Sequence, residues 1–109
     1  MNQDDLLIPH FPVGFRIGEG LKDMVEEAAA ATGISQNRWM LEAINGLLNL
    51  GEPKGSGVTA ELLLHRKIPT MVRVPPLTLE LMNEYCEERE MPRTVFLLDA
   101  LLTKLANGS

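Results

Sequence analysis

The sequence predicts a mostly α fold with a short two-stranded antiparallel β-ribbon, built from one unit written twice in 109 residues. Three observations predict it. Residues 13–48 and 70–105 align without a gap when slid by 57 positions: Val13-Gly-Phe-Arg-Ile17 falls on Thr70-Met-Val-Arg-Val74, and Trp39-Met-Leu-Glu-Ala-Ile44 on Phe96-Leu-Leu-Asp-Ala-Leu101. Hydropathy in each copy runs first with period two, then with period 3.6. Each copy is too short to bury an apolar face alone, so two copies complete one core, interlocked about a pseudo-two-fold axis. Identities are few (Arg16/Arg73, Glu27/Glu84, Ala43/Ala100 and Leu48/Leu105), but residue class matches throughout, and class specifies a fold.

An N-terminal arm, 1–11, precedes the first unit, 12–50. In it Val13, Phe15 and Ile17 alternate with Gly14 and Arg16, as a strand with one buried face requires. Leu21, Met24, Val25 and Ala28 then recur at helical spacing. Gly33 suits the left-handed residue after a helix, and Ser35 is a good N-cap for the next one. Trp39, Met40, Leu41, Ala43, Ile44, Leu47 and Leu48 make that next helix apolar nearly all round, so it is buried from more than one side.

Residues 51–68 read as a linker, flexible in composition over Gly51-Glu-Pro-Lys-Gly-Ser-Gly57, with one or two helical turns allowed over 59–65. The second unit, 69–106, repeats the plan. Thr70, Val72 and Val74 alternate with Met71 and Arg73, and an isolated strand needs a partner, so each strand is expected to pair antiparallel with the other. Pro75-Pro76 can open a helix, Met82, Tyr85, Cys86 and the stem of Arg89 give its apolar side, and Arg89-Glu-Met-Pro-Arg-Thr94 breaks it. Val95, Phe96, Leu97, Leu98, Ala100, Leu101, Leu102 and Leu105 make the last helix as apolar as its counterpart.

Composition excludes several classes. The longest apolar runs fall far short of the roughly 20 residues that cross a membrane. Two acids stand where a signal peptide carries positive charge, so a cytoplasmic, non-membrane protein is expected. The single Cys86 excludes an intrachain disulfide and reads as a small core residue aligned with Ala29. His10 and His65 lack metal-ligand spacing, so no metal and no cofactor is expected. Nor is an enzyme, because no nucleophile, histidine base or phosphate loop accompanies the glutamate clusters. Net charge is −5 and each repeat is −2, so any nucleic-acid contact must come from a few placed cations.

Strand, helix, tight turn, helix, with Arg16-Ile-Gly18 and Arg73-Val-Pro75 closing the strands, resembles the ribbon-helix-helix family of Arc/MetJ-type DNA-binding proteins. The second copy, Val72–Pro75 through Arg93–Ala100, is the closer match, and the first keeps the turn better in Thr32-Gly-Ile-Ser-Gln-Asn37. Together the matches cover about two thirds of the chain, arranged as two ribbon-helix-helix units in one polypeptide. The resemblance implies a β-ribbon in the DNA major groove, with outward side chains on base edges. Those positions are Pro12, Gly14 and Arg16, and Pro69, Met71 and Arg73; the base readers are Arg16, Arg73 and Met71, with Gly14 allowing close approach. It also implies phosphates at the second-helix starts: Ser35, Gln36 and Asn37 in one copy, Pro92, Arg93 and Thr94 in the other. An arginine on a half-buried strand is ordinarily a solvated charge; its recurrence at one position of both copies marks it here.

The expected function is sequence-specific binding of double-stranded DNA, as a transcriptional repressor or an accessory protein of plasmid or phage DNA processing. The unlike strands imply an asymmetric site, and units are expected to self-associate on adjacent half-sites. The alternative is a protein-interaction module that kept the fold and lost the DNA surface, motivated by net acidity and sparse readers. The linker permits pairing of the two units within one chain or exchange between two chains.

Overall fold

Alternating apolar residues bury one side of each strand, and the two buried sides make a single sheet face. The computed structural model describes residues 10–50 and 67–106. β1 (Phe11–Gly18) is followed by α1 (Glu19–Thr32) and α2 (Gln36–Leu50); β2 (Lys67–Val74) is followed by α3 (Pro76–Glu88) and α4 (Arg93–Ala106). The strands pair antiparallel as a two-stranded sheet, Phe11 opposite Val74 and Gly18 opposite Lys67. The helical turns allowed over 59–65, Arg66 and most of the N-terminal arm lie outside the described residues. Among the described residues, no helix is long and apolar enough to cross a membrane.

Both strands are longer than the alternation over 13–17 and 70–74 indicates. They take in Phe11 and Pro12 on one side and Lys67, Ile68 and Pro69 on the other, so the linker's last residues are strand. Prolines do not end the ladder because of where they fall. Pro12 faces Arg73 and Pro69 faces Arg16. The Arg73 N–H and carbonyl both bond to Asn37, away from β1, so Pro12 stands in a pair that exchanges no ladder bond. Two steps on, Gly14·Met71 is another such pair, and two further on so is Pro69·Arg16. A missing N–H costs nothing at either proline.

Val13, Phe15, Ile17, Val72 and Val74 form the inner face of the ribbon, all buried. Over them lie the two apolar helices, α2 and α4, in extensive contact with each other. Trp39, Ile44 and Leu47 of α2 and Phe96, Leu97 and Leu101 of α4 are almost wholly enclosed. Full burial of such side chains contributes roughly 1.5–3 kcal/mol each. α2 also packs on β2 and α3, while α4 packs on β1 and α1, so each second helix reaches elements from the other half of the chain. Tyr85 meets Phe96 edge-to-face at 5.1 Å, and the Arg89 guanidinium lies 3.7 Å from the Tyr85 ring centre.

The two helix–helix turns are built alike. Gly33 donates to the Ala30 carbonyl and Ile34 to the Ala29 carbonyl, at 3.2 and 3.1 Å. Fifty-seven residues on, Glu90 donates to Glu87 and Met91 to Cys86, at 3.2 and 2.9 Å. Both first residues are left-handed, Gly33 at φ 73° and Glu90 at φ 50°. Glycine adopts this conformation freely and glutamate does not. Glu90→Gly is therefore expected to raise stability by about 0.5–1 kcal/mol, and Gly33→Ala to lower it by about 1 kcal/mol. Nothing lies within 4 Å of a Cβ built on Gly33, so that loss reports backbone strain alone. Urea denaturation of the two variants checks the opposite signs; destabilisation by both would contradict this account of the turn.

Cys86 is buried on α3 as a free thiol. Burial pushes its pKa above the ordinary value of 9.0, against the lowering pull of Arg93 and Arg89. The unfolded chain releases this proton at the ordinary value while the folded chain keeps it. The thiol's contribution to stability is thus complete below that value and declines as pH rises through it. The wild type is expected to lose more stability than Cys86→Ala between pH 8 and the raised value, measured by urea titration at each pH. An equal decline in both would rule the thiol out as the source.

Candidate functional site: the outer face of the ribbon

A two-stranded ribbon has only one face to bury, so the other is presented to solvent. Pro12, Gly14 and Arg16 of β1 and Pro69, Met71 and Arg73 of β2 are all exposed on that face. The register sets them in rows: Pro12 beside Arg73, Gly14 beside Met71, and Arg16 beside Pro69. Met71 is 50% exposed and stands next to a glycine, so the middle of the face carries one bulky side chain, offset to the β2 side. Arg16 and Arg73 stand at diagonally opposite ends, four residues or about 13 Å apart along the ribbon. Lys67, opposite Gly18, extends the Arg16 end.

The chain is acidic, but its charges are sorted by element. β1 and β2 hold Arg16, Lys67 and Arg73 and no acid. α1 and α3 hold Glu19, Asp23, Glu26, Glu27, Glu80, Glu84, Glu87 and Glu88 against the single base Lys22. The cationic ribbon face was hidden in sequence blocks because each block joins a basic strand to an acidic helix.

The two second-helix starts differ from each other. At α2, Ser35 caps the helix, its Oγ accepting from the Arg38 N–H at 3.1 Å. Gln36 accepts from Lys22 Nζ at 2.7 Å, which brings an ammonium to the helix start. Asn37 turns to the ribbon: its Oδ1 accepts from the Arg73 N–H at 2.7 Å and its Nδ2 donates to the Arg73 carbonyl at 3.2 Å. An open groove of about 490 Å³ runs between the Arg73 end of the ribbon and this helix start, lined in part by His10, Ser35, Arg38, Glu42 and Arg73. Glu42 faces Arg38 at 3.5 Å and Lys104 at 3.4 Å, so its charge is shared between two bases.

At α4 the same positions read Pro92, Arg93, Thr94 and Val95. Arg93 donates to Asn83 Oδ1 at 2.8 Å, which ties the helix start to α3. Thr94 is exposed, and Val95, at 42% exposed, stands where α2 has Arg38. The structure thus gathers Ser35, Gln36 and Asn37 at the Arg73 end and sets Arg93 and Thr94 at the start of the other second helix. The sequence reading missed His10 and Arg38. Arg38 has a local signal, an arginine in the first turn of a helix; His10 has none until the fold brings it to the groove.

Chemically, the face offers two guanidinium forks and a thioether, with the start of α2 beside its Arg73 end, a set suited to polyanions. No protein-family model, curated protein or solved structure matches this chain.

Proposed function

We propose that the chain is a single-chain ribbon-helix-helix protein that binds double-stranded DNA through the outer face of its ribbon. The observation that carries this reading is the segregation of charge: an acid-free ribbon face presenting Arg16, Met71 and Arg73, backed by strongly acidic first helices. Residues 12–50 and 69–106 are then two units about a pseudo-two-fold axis. In support, helix starts, turn hydrogen bonds and core positions recur at the 57-residue offset, and the ladder pairs Gly14 with Met71, themselves 57 apart, as a two-fold axis through that pair requires. A two-stranded ribbon fits the major groove, about 12 Å wide. The arginines, about 13 Å apart, reach bases about four steps apart at 3.4 Å per step. Backbone phosphates meet the second-helix starts, with the Ser35–Arg38 groove on one side and Arg93–Thr94 on the other. Because Gly14 faces Met71, the site is not a palindrome. Repression of transcription or plasmid and phage DNA processing are the roles such binding serves, with units associating on adjacent half-sites.

Selection from random duplexes at low salt tests this. A short asymmetric motif is expected; a folded protein that enriches nothing would refute it.

A second reading rests on a different surface. Met24, Leu77 and Leu81 are exposed on the acidic first helices, and Met24 and Leu81 are 57 positions apart. Those side chains fit a protein partner, or a second copy of this chain. A partner that co-purifies with wild type and with an Arg16→Ala/Arg73→Ala variant alike would favour that reading.

A further inference from the structure

The two arginines of the ribbon hold the same position in the repeat, but their surroundings in space differ. In a two-stranded ribbon every second residue turns its N–H and carbonyl outward, where no third strand exists to hold them. At Arg73 both groups are held, because the Asn37 carboxamide supplies one acceptor and one donor, as a neighbouring strand would. The counterpart of Asn37 is Thr94 and the counterpart of Arg73 is Arg16. Among the described residues, no side chain makes the corresponding bonds to Arg16. Threonine has one hydroxyl on a short stem, so it has no group able to accept and donate side by side as a carboxamide does.

We infer that Asn37 is a positioning residue that fixes the backbone beneath Arg73, so that the protein reads its site strictly at the Arg73 end and loosely at the Arg16 end. This rests on the DNA-binding reading above. A side chain discriminates between bases only from a fixed starting point. A slack strand edge lets the guanidinium shift toward a wrong base and recover part of the lost contact. Asn37 removes that slack at one end, and the edge at Arg16 keeps it. The groove sits at the same end, so the phosphate-facing helix start and the anchored reader belong to one rigid corner, while the Arg16 end adapts.

Two measurements test it. In the free protein, hydrogen exchange is expected to be slower at the Arg73 amide than at the Arg16 amide, with the difference abolished by Asn37→Ala. Equal exchange in the wild type would mean no anchor exists, whatever the protein binds. On a selected duplex, single base-pair changes are scanned with wild type, Arg16→Ala, Arg73→Ala and Asn37→Ala. Each arginine variant identifies the base pair its residue reads. Wild type is expected to discriminate more strongly at the Arg73 position. Asn37→Ala is expected to lose about fivefold there, the lower end of what an arginine–guanine pair provides, and less than about twofold at the Arg16 position. Loss spread evenly over both positions would make Asn37 merely structural and overturn the inference while leaving DNA binding in place. A wild type that selects no duplex, despite a slow Arg73 amide, would overturn the DNA reading and this inference with it.

Discussion

Replacing Arg16 and Arg73 together with alanine is expected to leave the fold intact and to remove sequence-selective DNA binding. Both side chains are exposed, on residues whose backbone stays in the ladder, and no ion pair joins either to another described residue. The stability change is therefore expected to stay within about 0.5 kcal/mol. Each bidentate arginine–guanine contact is worth about 1–3 kcal/mol of discrimination, so losing two lowers specific affinity on the order of 10²-fold or more. Lys67 and the cations at the second-helix starts remain in the variant, so weak non-selective binding at low salt is expected to persist while selectivity is lost. Fluorescence anisotropy on a selected duplex reads the affinity, and a thermal melt reads the fold. Unchanged selective affinity in a folded double variant would mean the ribbon is not the reading surface.

Phe96→Ala is expected to destabilise the chain as a whole, both halves together. Phe96 is fully buried and stacks edge-to-face on Tyr85. Truncating a buried phenylalanine costs about 3–5 kcal/mol, against the 5–15 kcal/mol that stabilises an ordinary domain. What matters is where the loss is felt. α4 packs on α2, on α1 and on β1, so residues 11–50 have no complete core without it. Trp39, the one tryptophan, lies in the first half and is fully buried, so its fluorescence reports a change made in the second. Trp39 emission and far-UV circular dichroism are expected to fall in one shared transition, at markedly lower urea than in the wild type. A plateau with half the helical signal and native Trp39 emission would show that the first half folds alone.

Much of the architecture was legible because it is written in period and class. Val13, Phe15 and Ile17 against Val72 and Val74 specify strands, and Trp39 and Phe96 specify equivalent buried positions, whatever their neighbours do. Ser35 and Gly33 act within a few residues of themselves, so their roles as cap and left-handed turn could be read locally. Glu90 does the work of Gly33 with the wrong residue for it, which only the backbone reveals. Lys67 read as linker because the alternation of apolar residues is clear only from Thr70; the pairing that carries β2 back to Lys67, opposite Gly18, is a property of two strands, not one. Asn37 was legible as a polar residue at a helix start. Its bonds to Arg73, 36 residues away, depend on how α2 lies on β2, and no local pattern carries that. The groove is invisible in sequence for the same reason: His10, Arg38 and Arg73 come from three separate stretches.

The most direct measurement is an amide chemical-shift titration of the wild-type protein with a mixed-sequence duplex at low salt, where binding through placed cations is strongest. The account predicts shifts at Gly14, Arg16, Lys67, Met71 and Arg73 and at the first residues of α2 and α4, with α1 and α3 silent along their acidic faces. Absence of any shift at low salt, or shifts centred on α1 and α3, would contradict it.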